Sequence, residues 1–182
     1  MDLSRCPPPK GFFAAVGVRS VKLLSEQPPF IRRGRSTGRF AVGVRYERKV
    51  MAHLALLALE KPTVEFVQGP WFQFLDKSGR RWCQADALAI DRQRKIGVIW
   101  EVKYQHTSAA WWQLRWLYEP VLRVLEPSIH FGLVEICHWH DPATIFPEYY
   151  DLTNDPFRVP DASRIAVHIW NPNRDRSVVS RT

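Results

Sequence analysis

Cysteine is scarce in this chain: Cys6, Cys83 and Cys137 are the only three among 182 residues. Three scattered thiols cannot build a disulfide framework, and an odd number leaves at least one unpaired, which points to a reducing compartment. Long hydrophobic runs are missing as well. No stretch approaches the roughly 20 apolar residues that a membrane helix needs. The longest apolar run near the start, Gly11 to Val18, lies between Pro7-Pro8-Pro9-Lys10 and Arg19 and is too short and badly flanked for a signal peptide. The expected location is therefore cytoplasmic, in its own cell or in a bacterial cell that it enters, with no membrane partner. The chain also lacks a Walker-type Gly-Lys-Ser, a G-x-G-x-x-G and a G-x-S-x-G, so nucleotide hydrolysis, dinucleotide binding and α/β-hydrolase chemistry have no support. Neither an internal repeat nor a low-complexity tract is visible.

Acid is in short supply relative to base. Against 18 Asp and Glu stand 26 Lys and Arg, giving a net charge of +8, and 19 of those cations are Arg. A guanidinium presents a planar fork of donors that fits phosphate oxygens, so an Arg-rich excess favours a polyanion, and nucleic acid first of all. The remaining composition, 46% hydrophobic and 24% charged, is that of a globular chain long enough for one domain with short appendages.

Residues 1–43 read as a Pro- and Gly-containing basic arm, extended rather than packed as a layer; residues 44–170 read as the folded domain; residues 171–182 read as a polar tail. Arg32, Arg33, Arg35, Arg39, Arg45 and Arg48 crowd the end of the arm and the start of the first helix. They read either as a solvated basic tail or, given their density just before the first helix, as candidates for phosphate contact, with Arg80, Arg81, Gln113 and Arg115 further along the chain.

From Val44 to Glu60, Val50, Met51, Leu54, Leu57 and Ala58 recur at helical spacing, and Pro62 ends the pattern. Glu47 falls on that apolar stripe, where a carboxylate is costly without a partner; taken alone, it reads as a first-turn Glu stabilised by the helix dipole. The next segments form a three-stranded meander: Val64 to Leu75, Arg80 to Asp91 and Ile96 to Tyr104. A helix follows from about Ser108 to Leu125, capped by Thr107 or Ser108 and kinked at Pro120. Ile129 to Cys137 and Ile165 to Trp170 complete the strand candidates. Trp111, Trp112 and Trp116 read mainly as the helix face that covers the sheet. The cluster Cys137-His138-Trp139-His140-Asp141 has no matching ligand pair elsewhere, so a strand end running into a turn outweighs a zinc site.

With the tip of the second hairpin at Gln93-Arg94, Asp86 lies across from Glu101 and Leu88 across from Ile99. On the other face Ala87 meets Trp100 and Ala89 meets Val98. Two carboxylates so opposed need a proton or a cation between them. Lys103, two positions after Glu101, projects from the same face. Two acids with one ammonium suit Mg²⁺ or Mn²⁺, which binds through one or two carboxylates plus substrate phosphate, and suit phosphodiester hydrolysis.

Asp86 and, fifteen positions on, Glu101-Val102-Lys103, preceded by a helix bearing Glu47, resemble the PD-(D/E)XK nuclease superfamily, although Ala85 stands where the motif has its proline. The order of helix, meander, helix and strand is similar to that superfamily's αβββαβ core over about residues 44–137. The resemblance implies an α/β, restriction-endonuclease-like fold with a mixed, mainly antiparallel central sheet flanked by helices. It implies Asp86, Glu101 and the Val102 carbonyl as metal ligands, Lys103 as the water-orienting base, and Glu47 as a support for metal-bound water or a second ion. Tyr46-Glu47, Gln68-Gly69-Pro70 and Gly79-Arg80-Arg81 further resemble the nuclease domain of TnsA-type transposon endonucleases, consistent with a phage or mobile-element origin. Gln113 with Tyr118 resembles the Q-x-x-x-Y element of RecB-like nucleases, with Leu117 at the tyrosine position, so that subfamily is not assigned. The expected activity is a Mg²⁺-dependent DNA endonuclease, acting alone, as a homodimer or in a larger nucleoprotein assembly. The competing expectation is an inactive nuclease-fold subunit that binds DNA or serves assembly.

Overall fold

The computed structural model describes residues 7–31, 39–141, 149–161 and 164–172. Arg32, Arg33 and Arg35 lie outside the described residues, as do Cys6 and most of the polar tail.

The fold is mixed α/β, as the sequence suggests. Its strands are β1 (Ser20–Leu24), β2 (Val64–Gln68), β3 (Trp71–Asp76), β4 (Gly79–Gln84), β5 (Ala87–Asp91), β6 (Ile96–Gln105), β7 (His130–Trp139), β8 (Tyr150–Thr153) and β9 (Ile165–Ile169). They form a three-stranded sheet in the order β1-β3-β4 and a six-stranded sheet in the order β2-β5-β6-β7-β9-β8. Four pairings are antiparallel and three parallel, and all the parallel ones lie on the β6 side of the larger sheet. The long helix α1 spans Arg39–Leu59. A second helical stretch runs as α2 (Ser108–Trp112), a π turn over Gln113–Tyr118, and α3 (Glu119–Leu125).

The meander is present but bent. Its first two strands each break midway, at Gly69-Pro70 and at Ala85-Asp86, and the halves enter different sheets. One pairing register nevertheless runs through the break, from Val64 opposite Asp91 to Asp76 opposite Gly79. Gly69 N donates to Asp86 O at 2.8 Å and Ala85 N to Pro70 O at 3.2 Å, so the two strands turn the corner together. Gly69 has φ +59°, a conformation that glycine adopts without a Cβ penalty, and Pro70 removes a ladder donor. The bend is therefore built from residue types, and Asp86 sits on it.

Two apolar layers enclose the large sheet. On one face α1 lays Val50, Met51 and Leu54 over Ala87, Ala89, Val98 and Trp100. On the other, Trp111, Leu114, Tyr118 and Val121 cover Leu88, Ile99, Leu133 and Val167, together with Phe72 and Phe74 of the small sheet. Alternation along β6 thus sends Trp100 and Val102 toward α1, and Ile99, Glu101 and Lys103 toward the α2–α3 side.

The N-terminal arm departs from the extended, unpacked reading. Its residues 20–24 form β1 on the edge of the small sheet, and Ala15 is buried in the core. Prolines and glycines bracket this segment rather than fill it, leaving Val18 and Val21 free to pack. The arm also meets the second helical stretch. Pro120 cannot donate to the carbonyl of Trp116, and that oxygen accepts instead from Ala15 N at 2.8 Å. Helix α1 begins at Arg39, ahead of the expected Val44, and β8 arises between the two strand candidates that end at Cys137 and begin at Ile165, where no strand is expected.

Candidate active site

The register of the second hairpin is the one the sequence predicts: Ala87 faces Trp100, Leu88 faces Ile99 and Asp91 faces Ile96. Asp86, one residue beyond the last pair, turns its carboxylate back onto β6, where Oδ2 accepts from Val102 N at 2.6 Å. Glu101 points to the same side and is only 3% exposed. Its Oε1 pairs with Lys103 Nζ, and its Oε2 lies 3.0 Å from the hydroxyl of Tyr118. That hydroxyl is also 2.8 Å from Gln84 O. One hydroxyl proton serves two acceptors, so Glu101 receives a full donor from Tyr118 only when Gln84 gives it up.

Electrostatics around this group are strained. Burial, then the charges of Glu101 and Glu47, push the Asp86 carboxyl well above its ordinary range, against the Val102 N–H and Lys103. Burial raises Glu101 as well, although Lys103 and Tyr118 pull the other way. Burial would lower the Lys103 ammonium, but Glu101, Asp86 and Glu135 together outweigh it and hold the amine protonated. The cluster favours any added positive charge.

A cleft of about 1190 Å³ opens at Asp86, lined also by Glu47, Arg45, Arg48, Gln84 and Trp71. Helix α1 brings Glu47 here, half-buried at the end of the apolar stripe and within electrostatic reach of Asp86. Arg45 and Arg48, one turn apart, are exposed on the cleft wall. Glu101 and Lys103 lie behind Asp86 and do not line the cleft.

Not every predicted contact residue is here. Arg81 is engaged elsewhere: it pairs with the fully buried Asp76 at 2.9 Å, donates to Ala14 O and stacks on Phe13 at 3.6 Å. Arg115 is buried, bonded to Glu119 at 2.8 Å and to Arg164 O, and cannot reach a bound strand. Both guanidinium groups are thus held in structural contacts, and local charge density does not reveal which guanidinium has an acid waiting in the core. Arg80 is exposed on the small sheet, away from the cleft. The backbone of Arg39 opens α1. Gln113 reaches the site indirectly, its Nε2 standing 3.5 Å from the Tyr118 hydroxyl. Five residues apart, the two would diverge on an α-helix; the π turn, with Glu119 N bonded to Leu114 O, brings them to one face.

Glu135 escaped the sequence reading. It faces Glu101 across the parallel β6–β7 pair and is fully buried, with Oε2 2.9 Å from His106 Nδ1 and Oε1 3.3 Å from Thr107 N. Its signal was a single charged residue inside the apolar run Phe131 to Cys137. Cys137 next to it is a core thiol, pushed up to about 12 by burial.

Among the described residues no three His, Cys, Asp or Glu converge closely enough to hold an ion by themselves. The available donor set is Asp86, Glu101 and the backbone at Val102, with Glu47 nearby. Of this set Asp86 and Glu47 line the open cleft and Glu101 stands behind Asp86, and Mg²⁺ habitually uses one or two protein carboxylates and keeps its waters. Among the described residues no helix is long and apolar enough to cross a membrane. Comparison with family models, curated proteins and solved structures finds no match for this chain.

Proposed function

We propose that the protein is a divalent-metal-dependent deoxyribonuclease that hydrolyses phosphodiester bonds in the manner of the PD-(D/E)XK enzymes. The observation that carries this reading is the meeting of Asp86, Glu101 and Lys103 at the bend of one hairpin, beside a cleft walled by Arg45 and Arg48. Asp86, Glu101 and the Val102 carbonyl would hold Mg²⁺ or Mn²⁺, with Glu47 supporting a coordinated water. When bound, such an ion supplies an acidified water and a Lewis acid for the phosphoryl oxygens.

The chain's own residues do the rest. Arg45 and Arg48 grip backbone phosphates and set the strand along the cleft. Lys103, held as an ammonium, balances the charge that gathers on the phosphoryl group and orients the attacking water. Tyr118, locked by the π turn, fixes the rotamer of Glu101, and Gln113 stands behind it. Among the described residues the cleft carries no recognisable base-reading element, so its grip is on the backbone rather than on sequence.

The test is incubation of purified protein with supercoiled, linear and branched DNA in Mg²⁺ or Mn²⁺, beside Asp86→Ala and Lys103→Ala. The expected result is metal-dependent cutting that falls by roughly 10²–10⁴-fold in either variant. Binding without cutting by the wild-type protein overturns the enzyme reading and leaves a DNA-binding or assembly subunit.

A further inference from the structure

Lys103 and Tyr104 are consecutive at the end of β6 and project to opposite faces of the sheet. On the α1 side, Tyr104 stacks on His138 of β7, with ring centroids 4.9 Å apart and planes 10° from parallel. Tyr46 of α1 meets both rings edge-on, at 5.8 Å and 5.6 Å, and is itself fixed by a hydrogen bond from its hydroxyl to Trp170 O. These three rings line a pocket of about 320 Å³ together with Arg45 and Lys49. That is the lower end of the roughly 300–1,000 Å³ found for small-ligand sites.

Two features make the pocket more than a packed corner. Tyr104 keeps 40% of its surface exposed, beyond what the His138 stack covers. Arg45 and Lys49 are exposed and form no ion pair among the described residues, so two cations frame an aromatic platform. Arg45 also lines the large cleft at Asp86, which makes the two sites neighbours along α1.

We infer that this pocket is a subsite for an unpaired nucleotide of the bound strand, its base stacking on Tyr104 and its phosphates held by Arg45 and Lys49. Aromatic faces accept any base, while the flanking cations require the phosphate that accompanies it. A paired base, already stacked in its duplex, has no face to offer. The subsite therefore selects nucleic acid with a flap, bulge or single-stranded segment beside the scissile position. This inference rests on the nucleic-acid reading above but not on hydrolysis.

The experiment measures binding in EDTA to three DNAs: a blunt duplex, the same duplex with one unpaired 2-aminopurine, and its counterpart with an abasic residue at that position. The wild-type protein is expected to quench the 2-aminopurine and to bind that DNA roughly tenfold more tightly than the abasic one. Tyr104→Ala is expected to erase the preference and Tyr104→Phe to keep it, with circular dichroism confirming that both fold. Equal affinity of the wild-type protein for the three DNAs, or a preference that survives Tyr104→Ala, overturns the subsite. Cleavage of the duplex in Mg²⁺ is scored separately. Base-dependent binding without cutting removes the hydrolase reading and leaves the subsite, whereas cutting without base preference does the reverse.

Discussion

Strand β5 ends on Asp91 and is immediately preceded by Asp86, and the two aspartates are treated in opposite ways. Asp91, at the turn into β6, is buried, and donors satisfy it. Thr63 Oγ1 gives a hydrogen bond to Oδ2 at 2.7 Å and Arg94 N to Oδ1 at 2.9 Å, and the Thr63 hydroxyl leads in pulling the carboxyl below its ordinary range. Asp86, at the bend, receives one backbone N–H and is crowded by Glu101 and Glu47, so its carboxyl is pushed up. The same side chain thus serves as a turn lock at one end and stands as an anion short of cations at the other. A fold gains nothing evident from the second arrangement, which is why Asp86 and not Asp91 belongs to the proposed active site.

The sharpest way to break this contrast is at the ion pair behind Asp86. The Lys103 side chain is 27% exposed and that of Glu101 only 4%, so removing the ammonium strands a buried carboxylate. Lys103→Met is expected to cost roughly 3 kcal/mol in a metal-free denaturant titration. Adding Glu101→Gln should recover most of that loss, since the amide needs no counter-charge. Full additivity of the two substitutions would show that the pair is not coupled in solution.

Sequence reasoning found this pair because β-sheet geometry is strict. Once the turn at Arg92 to Lys95 is placed, register follows, and small residues opposite large ones in Ala87–Trp100 and Ala89–Val98 confirm it. What escaped it depends on partners distant in the chain. The corner at Gly69-Pro70 and Ala85-Asp86 looks like the middle of two strands until both are seen to bend together. Strand β1 is hidden by the prolines on either side of it. Glu135 needs the parallel β6–β7 register before its position opposite Glu101 has meaning. Pro120 signalled an irregularity, but not that the helix would widen by one residue and deliver Tyr118 to Glu101.

A smaller effect, of opposite sign at the two aspartates, follows from the same contrast. In metal-free buffer Asp86→Asn relieves crowding among the acids and is expected to raise stability by about 1 kcal/mol, as substitutions at strained functional sites often do. Asp91→Asn should lower it. Because the folded-state pKa of Asp91 is depressed, its contribution is fully present above the unfolded pKa and is lost as pH falls through the folded one. The gap between the wild-type protein and Asp91→Asn therefore narrows in acid. Thermal melts of both variants from neutral to acidic pH check the pair, and a destabilised Asp86→Asn would mean that the site is a structural lock like its counterpart.

Tyr118→Phe probes the π turn more gently. It deprives Glu101 Oε2 and Gln84 O of a shared donor and should cost about 1 kcal/mol. With Glu101 free to change rotamer, metal-dependent cutting should fall by roughly 10–100-fold while binding of DNA in EDTA is retained. A variant that cuts normally would separate the π turn from the chemistry.

The mildest substitutions compare two arginines. Arg48 stands exposed on the cleft wall and forms no ion pair among the described residues, whereas Arg81 is sandwiched between Asp76, Ala14 O and Phe13. Counterion release ties each phosphate contact to the salt dependence of affinity. Arg48→Gln should lower the slope of log K against log salt by about 0.9 and leave the melting temperature unchanged. Arg81→Gln should leave the slope alone and lower the melting temperature, because Asp76, with no exposed surface, would lose its guanidinium partner. Measuring both slopes on one DNA makes each arginine the control for the other. If Arg81→Gln changed the slope and Arg48→Gln did not, the DNA path would run over the small sheet rather than through the cleft at Asp86.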